Sequence, residues 1–146
     1  MRAVVQKVSE AEVIIDGLSQ GKISRGVCVF VAMKETDNER VIDWMVHKIL
    51  NLRIFPDKDE KMNLSVTDIG GEILIISNFT LYGDCRKGTR PSYTDSAPPA
   101  IAEPIYNKFV EHFRNSTNLK VETGIFGAMM DVRLVNDGPV TLIIER

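Results

Sequence analysis

Two stretches hold residues whose types and spacing could do chemistry. The first is Ser77-Asn78-Phe79-Thr80-Leu81, which follows directly on the apolar run EILIIS, Glu72 to Ser77. It sets two hydroxyls, an amide and several main-chain N–H groups at the end of a strand. Backbone at a strand end is held by the ladder but no longer paired by it, so its donors can meet a developing oxyanion. The plainer reading is a strand flowing into a polar loop. The second stretch is Asn136-Asp137-Gly138-Pro139-Val140-Thr141, placed inside strand-like sequence with Leu134 and Val135 before it and Leu142, Ile143 and Ile144 after it. Proline has no N–H for a ladder and is expelled from central strands. Glycine offers a bare main chain that another group can approach. By spacing alone this stretch is a tight turn between two strands.

Other catalytic parts are sparse. The two histidines, His47 and His112, fall among polar neighbours and read as solvated surface groups. No elbow motif accompanies them, so no Ser-His-Asp triad is readable. Asp57, Asp59 and Glu60 cluster in a loop without an EF-hand or HExxH pattern, and no metal site is expected. Glycine-rich nucleotide-binding motifs are missing, and no cofactor is expected. The two cysteines, Cys28 and Cys85, have no zinc-type spacing; Cys28 reads as a buried apolar residue and Cys85 as exposed.

Composition narrows the classes further. With 146 residues, a single domain over 1–146 with its own core is expected. Hydrophobic residues are 44% and charged residues 26%, ordinary for a globular chain. A net charge of −2 argues against a protein that coats nucleic acid by bulk charge, but not against one that touches the end of an RNA. The N-terminal MRAVVQKVSEAEV has too short an apolar run for a signal peptide, and no run reaches the ~20 apolar residues of a membrane span. A cytoplasmic protein is the expectation, with neither membrane nor DNA as a partner.

The elements that must position the two stretches follow from periodicity. Met1–Val8 and Ala11–Asp16 read as two strands joined by a turn at Ser9-Glu10, and Val27–Met33 as a strand buried on both faces. Between Asp37 and Leu52 the apolar residues Val41, Met45, Ile49 and Leu52 have helical spacing, with Thr36 or Asp37 as the cap. Leu52–Phe55 reads as a short strand, 56–71 as a polar loop, Glu72–Ser77 as a strand and 85–97 as a turn-rich segment. Ile101, Ile105, Phe109 and Phe113 mark a second helix, which Pro104 kinks or delays to Glu103. Leu119–Glu122, Met129–Val135 and Val140–Glu145 are the closing strands. The fold class is α/β: two main helices against a mixed, largely antiparallel curved sheet or partial β-barrel.

Taken together, the two stretches resemble the D-aminoacyl-tRNA deacylase family. Ser77-Asn78-Phe79-Thr80-Leu81 is similar to its Ser-Gln-Phe-Thr-Leu motif, and Asn136 to Thr141 match its Asn-x-Gly-Pro-Val-Thr motif. RIFPDKDEKMN, RKGTRPSY and TGIFGAMMDV are family-like and in order, so the likeness runs the length of the chain. It implies an ester hydrolase that releases D-amino acids, and glycine, from tRNA. It implies a homodimer in which a cis Gly138-Pro139 peptide of one subunit enters the partner's site and receives the α-ammonium group on its carbonyls. A D side chain then points to solvent, and an L side chain runs into those carbonyls.

The resemblance further implies roles for single residues. The Phe79 N–H, helped by Thr80, would hold the oxyanion, and Ser77 would orient the carbonyl or ribose. Asn78, Ala102 and Met130 would line the adenosine and aminoacyl pocket with Gly138 and Pro139. Apart from the resemblance, Arg86, Lys87 and Arg90 form the best basic cluster, directly after the Ser77–Thr80 strand end, and on charge alone they read either as contacts to RNA phosphates beyond the terminal adenosine or as a solvated loop.

The chain departs from the family at Asn78, usually Gln, and at Lys7, often an arginine that braces the Gly-Pro loop. A looser loop with relaxed specificity is one consequence. Two other classes stay open: a dimer that only binds a nucleotide or RNA end, and a hydrolase of other amino-acid esters using Thr80 as a covalent nucleophile.

Overall fold

The computed structural model describes Met1–Arg146, and its elements run β1 (Arg2–Ile15), β2 (Leu18–Ile23), β3 (Gly26–Ala32), α1 (Glu39–Leu50), β4 (Phe55–Pro56), β5 (Met62–Leu64), β6 (Glu72–Ser77), a 3-10 turn (Phe79–Tyr82), α2 (Pro99–Ser116), β7 (Val121–Thr123) and β8 (Asp131–Glu145). β3, β6 and β7 are parallel neighbours, while β1 pairs antiparallel with β2, β3 and β8. The sheet is therefore mixed, as expected. The two helices are the crossovers that parallel pairing requires.

β1 is the spine of the sheet. Along one edge it pairs with β8 from Arg2 to Ile14; its other edge is shared by β3, opposite Arg2 to Val8, and β2, opposite Ala11 to Ile15. The expected turn at Ser9-Glu10 is not a turn. The strand continues, and its pairing with β8 shifts on either side of Val8. Such irregularities change which side chains face inward: Ala3 and Val5 join the helix-side core, whereas Val8, Ala11 and Val13 join the opposite one.

The alternation of β3 and β6 divides the core in two. Val27, Val29, Val31, Ile73 and Ile75 pack beneath α1 and α2 with Phe109, Phe113, Met45 and Ile49. Cys28, Leu74 and Ile76 point into the hollow of the curled sheet with Ile23 and Val13. Burial pushes the Cys28 thiol up to about 12, which keeps it an inert apolar group. The curl brings β2 back toward β7. Gly21 sits at this approach, where an added Cβ would lie 3.0 Å from the Thr123 carbonyl oxygen.

Three other expectations need correction. The cap of α1 is Asn38, whose Oδ1 accepts from the N–H groups of Arg40 (3.1 Å) and Val41 (3.3 Å). Asp37 is drawn away instead, to the Met1 ammonium at 2.5 Å and the Lys34 N–H at 2.8 Å. α2 starts at Pro99, not at Glu103, and carries Pro104 inside it. Pro104 lies near the helix start and both it and Ala100 are exposed, so water can serve the carbonyl that the ring leaves unpaired. Finally, β4 and β5 form a small hairpin within the region read as a short strand and a loop.

Candidate active site

The site lies where β3 and β6 end, at the carboxyl edge of a parallel pair, the usual place for ligands on such sheets. β6 is held from both sides, by β3 and β7. Tyr106 of α2 donates its hydroxyl to the Ile75 carbonyl (3.0 Å) from behind. The ladder runs one residue past β6, with the Asn78 N–H donating to Val31 O at 2.8 Å, and then the chain turns into the 3-10 helix.

Asn78 is the cap of that turn. Its Oδ1 accepts from the Thr80 N–H (3.2 Å) and from the Thr80 hydroxyl (2.5 Å). Asparagine suits this role because its short side chain reaches N–H groups two residues on. Thr80 is thereby committed: its hydroxyl faces an amide oxygen, which cannot act as a base. Phe79 occupies the first position of the turn, where an N–H has no acceptor within the helix. That leaves the Phe79 N–H as the turn's available donor, with Thr80 holding the turn's shape.

Beside this turn opens a cavity of about 800 Å³. Ser77, Asn78, Phe79, Ala102 and Met130 all line it, so the structure brings these expected residues together. It adds Phe30, Tyr93 and Phe126, which supply aromatic walls. Tyr93 and Phe126 lie in the RKGTRPSY and TGIFGAMMDV stretches, so position in a motif was their only signal; Phe30 gave none within its apolar run. Phe79 is 57% exposed, Tyr93 39% and Met129 92%, an apolar rim around the opening. Phe79 and Tyr93 meet edge to face at 5.2 Å.

Gly138 and Pro139 are not in this cavity. They project from β8 on an excursion of the strand: Thr141 pairs with Gln6 and Asn136 with Val8, so the residues between bulge out opposite Lys7. Both are exposed. Gly138 has φ +120°, in the range that favours glycine, and the Gly138–Pro139 peptide is cis, as the resemblance implied.

The base of the excursion is tied on two sides. In the orientation that satisfies both ends of its amide, Asn136 donates to the carbonyls of Lys7 (2.9 Å) and Val140 (3.2 Å) and accepts from the Thr141 hydroxyl (3.0 Å). Lys7, only 7% exposed, puts its Nζ 3.1 Å from Asp137 Oδ2. Lys7 thus secures the loop through the neighbouring carboxylate. On either side of the excursion β8 is an outer edge, with Val135 51% and Ile143 74% exposed among Asp131, Arg133, Thr141 and Glu145. A long, unpaired edge is a surface that proteins normally cover.

Of the three basic residues, Arg86 is already clasped to Asp84, with bonds of 2.9 Å and 2.7 Å from its guanidinium. The clasp holds the Asp84 carboxyl down to about 2. Lys87 and Arg90 are exposed on the same loop, which an Asp84–Ser92 bridge closes. The histidines lie away from the cavity: His112 Nδ1 stands 2.8 Å from Asp43 Oδ1, joining the two helices, and His47 is exposed on α1.

Comparison with known proteins finds relatives along the whole chain. A family model described as D-Tyr-tRNA(Tyr) deacylase matches residues 4–145. A D-aminoacyl-tRNA deacylase of Thermosipho africanus is 57% identical over 145 residues, covering 99% of this chain and 97% of that relative. A solved structure of a c-Myc DNA Unwinding Element Binding Protein superposes with a TM-score of 0.95 at 40% identity, over 100% of this chain and 99% of that one. A probable eukaryotic D-amino acid tRNA deacylase shares the fold, with a TM-score of 0.81 at 18% identity over 98% of this chain and 97% of that one. Because the family model spans nearly the whole chain and relatives match it at more than half of their residues, the chain belongs to the D-aminoacyl-tRNA deacylase family and is a hydrolase of the ester bond in aminoacyl-tRNA.

Proposed function

We propose that the protein works as a homodimer in which the Gly138-Pro139 loop of each subunit completes the cavity of the other. One observation carries this reading. The cavity beside Phe79 is open and apolar at its rim, while Gly138-Pro139 of the same chain stands exposed on a different surface. A two-fold dimer supplies each cavity with the partner's loop and covers the β8 edge.

In the complete site the terminal adenosine of tRNA lies in the cavity against Ala102 and Met130, with the aminoacyl ester at Phe79. A water attacks the ester carbonyl. The Phe79 N–H takes the negative charge of the tetrahedral intermediate, Ser77 orients the carbonyl or ribose, and the ribose oxygen leaves with a proton. An aminoacyl ester is already activated, so positioning and one fixed donor supply most of what is needed. The neighbouring ribose hydroxyl can relay the proton in place of a protein base.

The partner's Gly138 and Pro139 carbonyls receive the α-ammonium group. With that group and the ester both held, a D side chain points to solvent and an L side chain meets main chain. Rejection is steric and independent of side-chain identity. Glycine presents nothing to reject, so glycyl-tRNA is a substrate too. Lys87 and Arg90 add phosphate contacts in the cytoplasmic tRNA pool, salt-dependent and without sequence preference.

Single-turnover hydrolysis of D-tyrosyl-, L-tyrosyl- and glycyl-tRNA by the purified protein tests the reading. Rapid loss of the D and glycyl esters with the L ester intact is the expected result. Loss of all three overturns the steric gauge. A monomer with full activity overturns the shared site.

A further inference from the structure

We propose that Arg2 is a positioning residue for the deacylase reaction, holding the turn that carries the Phe79 donor. The inference rests on the assignment of the Phe79 N–H to the oxyanion. Arg2 lies far from that turn in sequence and outside the cavity, yet its guanidinium has three engagements. Nη1 donates to the Leu81 carbonyl at 2.7 Å. Nε and Nη2 donate to Glu145 Oε2 at 3.1 and 2.8 Å. The guanidinium carbon lies 4.6 Å from the centre of the Tyr82 ring. Leu81 and Tyr82 are the last two residues of the turn that Phe79 begins.

The anchor on the other side is firm. Arg2 and Glu145 are direct partners across the β1–β8 ladder. Lys34 reinforces the pair, with Nζ 3.3 Å from Glu145 Oε1 and 4.8 Å from the Tyr82 ring centre. Tyr82 is buried. The turn is therefore fastened at its start by the Asn78 cap and at its end by Arg2, with Phe79 and Thr80 between.

A 3-10 turn has few bonds of its own and poor geometry. Its donor can be preorganised only if outside groups fix it, and an oxyanion donor gains its value from preorganisation. Arginine fits because one planar fork can bind a carboxylate and still reach a carbonyl. Lysine in its place keeps the charge and loses the simultaneous contacts.

The test compares Arg2→Gln, Arg2→Lys and Glu145→Gln with the parent in steady-state D-tyrosyl-tRNA hydrolysis, with thermal unfolding and dimer mass measured alongside. Arg2→Gln is expected to lower kcat by about 10- to 100-fold, the range set by ångström-scale misplacement of a catalytic group. KM should stay within about twofold, since the donor acts on the transition state. Arg2→Lys should recover part of the loss, and Glu145→Gln should lose less than Arg2→Gln. A folded Arg2→Gln dimer with unchanged kcat, or with its loss confined to KM, overturns the proposal. Should Arg2→Gln not fold, Arg2→Lys and Glu145→Gln decide: lowered kcat at unchanged KM supports it, and parent-like kcat in both overturns it. Phe79→Pro, which deletes the N–H, reports on the underlying assignment alone. Its full activity would remove that assignment and the reason for Arg2 with it. An inactive Phe79→Pro beside a fully active Arg2→Gln would remove only Arg2.

Discussion

β6 leads into one of the two family-like motifs and β8 carries the other, and their surroundings are opposite. Ile73, Leu74, Ile75 and Ile76 of β6 are all buried, and the strand is paired on both edges. β8 is paired on one edge only and alternates between half-buried and exposed along most of its length. The chain's own core places the Phe79 turn. The Gly-Pro excursion is tied at its base by Asn136 and Lys7, and Gly138 and Pro139 at its tip are exposed. One motif is thus enclosed by intramolecular packing, and the other is tied at its base and open at its tip. That contrast is what supports the proposed dimer, in which a second copy of the chain completes the site.

The largest effect expected is on the β6 side. Phe79→Pro should lower kcat by about 10²- to 10³-fold, the cost of losing one oxyanion donor. Proline is tolerated at the first position of a helical turn, and Asn78 before it, at φ −149° and ψ 88°, is already outside the helical region that a following proline disfavours, so the change is local. Phe79→Ala keeps the N–H and should lose far less; equal losses in the two variants would shift the role to the aromatic ring.

On the β8 side, Gly138→Val should abolish activity in a protein that still folds. A Cβ there would lie 2.9 Å from Val140 Cγ2, at a φ of +120°. Strain of this kind costs about 1–3 kcal/mol. Mixing the two dead variants makes the comparison sharper. In a hybrid dimer one site receives a sound turn and a sound loop, so a random mixture should regain about a quarter of parental activity. No recovery from subunits shown to exchange would mean that both motifs act within one chain.

Smaller effects concern the fastenings. Asn78→Ala removes the cap and should cost the turn about 1 kcal/mol, lowering kcat several-fold. Lys7→Met keeps the apolar stem and drops the bond to Asp137. It should leave D-ester hydrolysis nearly intact while L-ester hydrolysis rises, measured as the ratio of the two rates. The smallest effect is in the 84–92 loop. Asp84 has its carboxyl lowered to about 2 by Arg86, so the clasp is complete above the ordinary carboxylate value of 3.8 and opens as pH falls through 2. A carboxyl-carbon NMR titration of Asp84 checks this; a midpoint near 3.8 would mean that Arg86 is free for RNA.

Much of the fold was legible because it follows local periodicity. Val41, Met45 and Ile49, like Ile105, Phe109 and Phe113, announce helices, and the unbroken apolar run at 27–33 announces a buried strand. The errors fell where distant groups compete. Asp37 looks like a helix cap and is one by type, but the Met1 ammonium claims it and Asn38 takes the role. Ser9-Glu10 looks like a turn, but β8 pairs through it and makes it a register shift. The Gly-Pro stretch looks like a turn between two strands, yet β1 holds both halves on one line. Within the site, Ser77, Asn78 and Phe79 were legible as a motif; Asn78's capping of Thr80 was not, since it depends on how the chain turns after the ladder ends.

The sequence by itself determined the parts. A strand end rich in donors, a Gly-Pro pair that no regular strand accepts, and two amphipathic helices are all written in residue types and short spacings. Tertiary structure decided the relations between those parts. It put Ala102, Met130, Phe126 and Tyr93 around Ser77, and turned Gly138-Pro139 away from them. It also fastened the Phe79 turn through Arg2, 79 residues from the Leu81 carbonyl and 143 from Glu145 along the chain. Propensity and periodicity act over one or two turns of chain, whereas a contact across such separations exists only once the sheet has closed and brought both ends of the chain together.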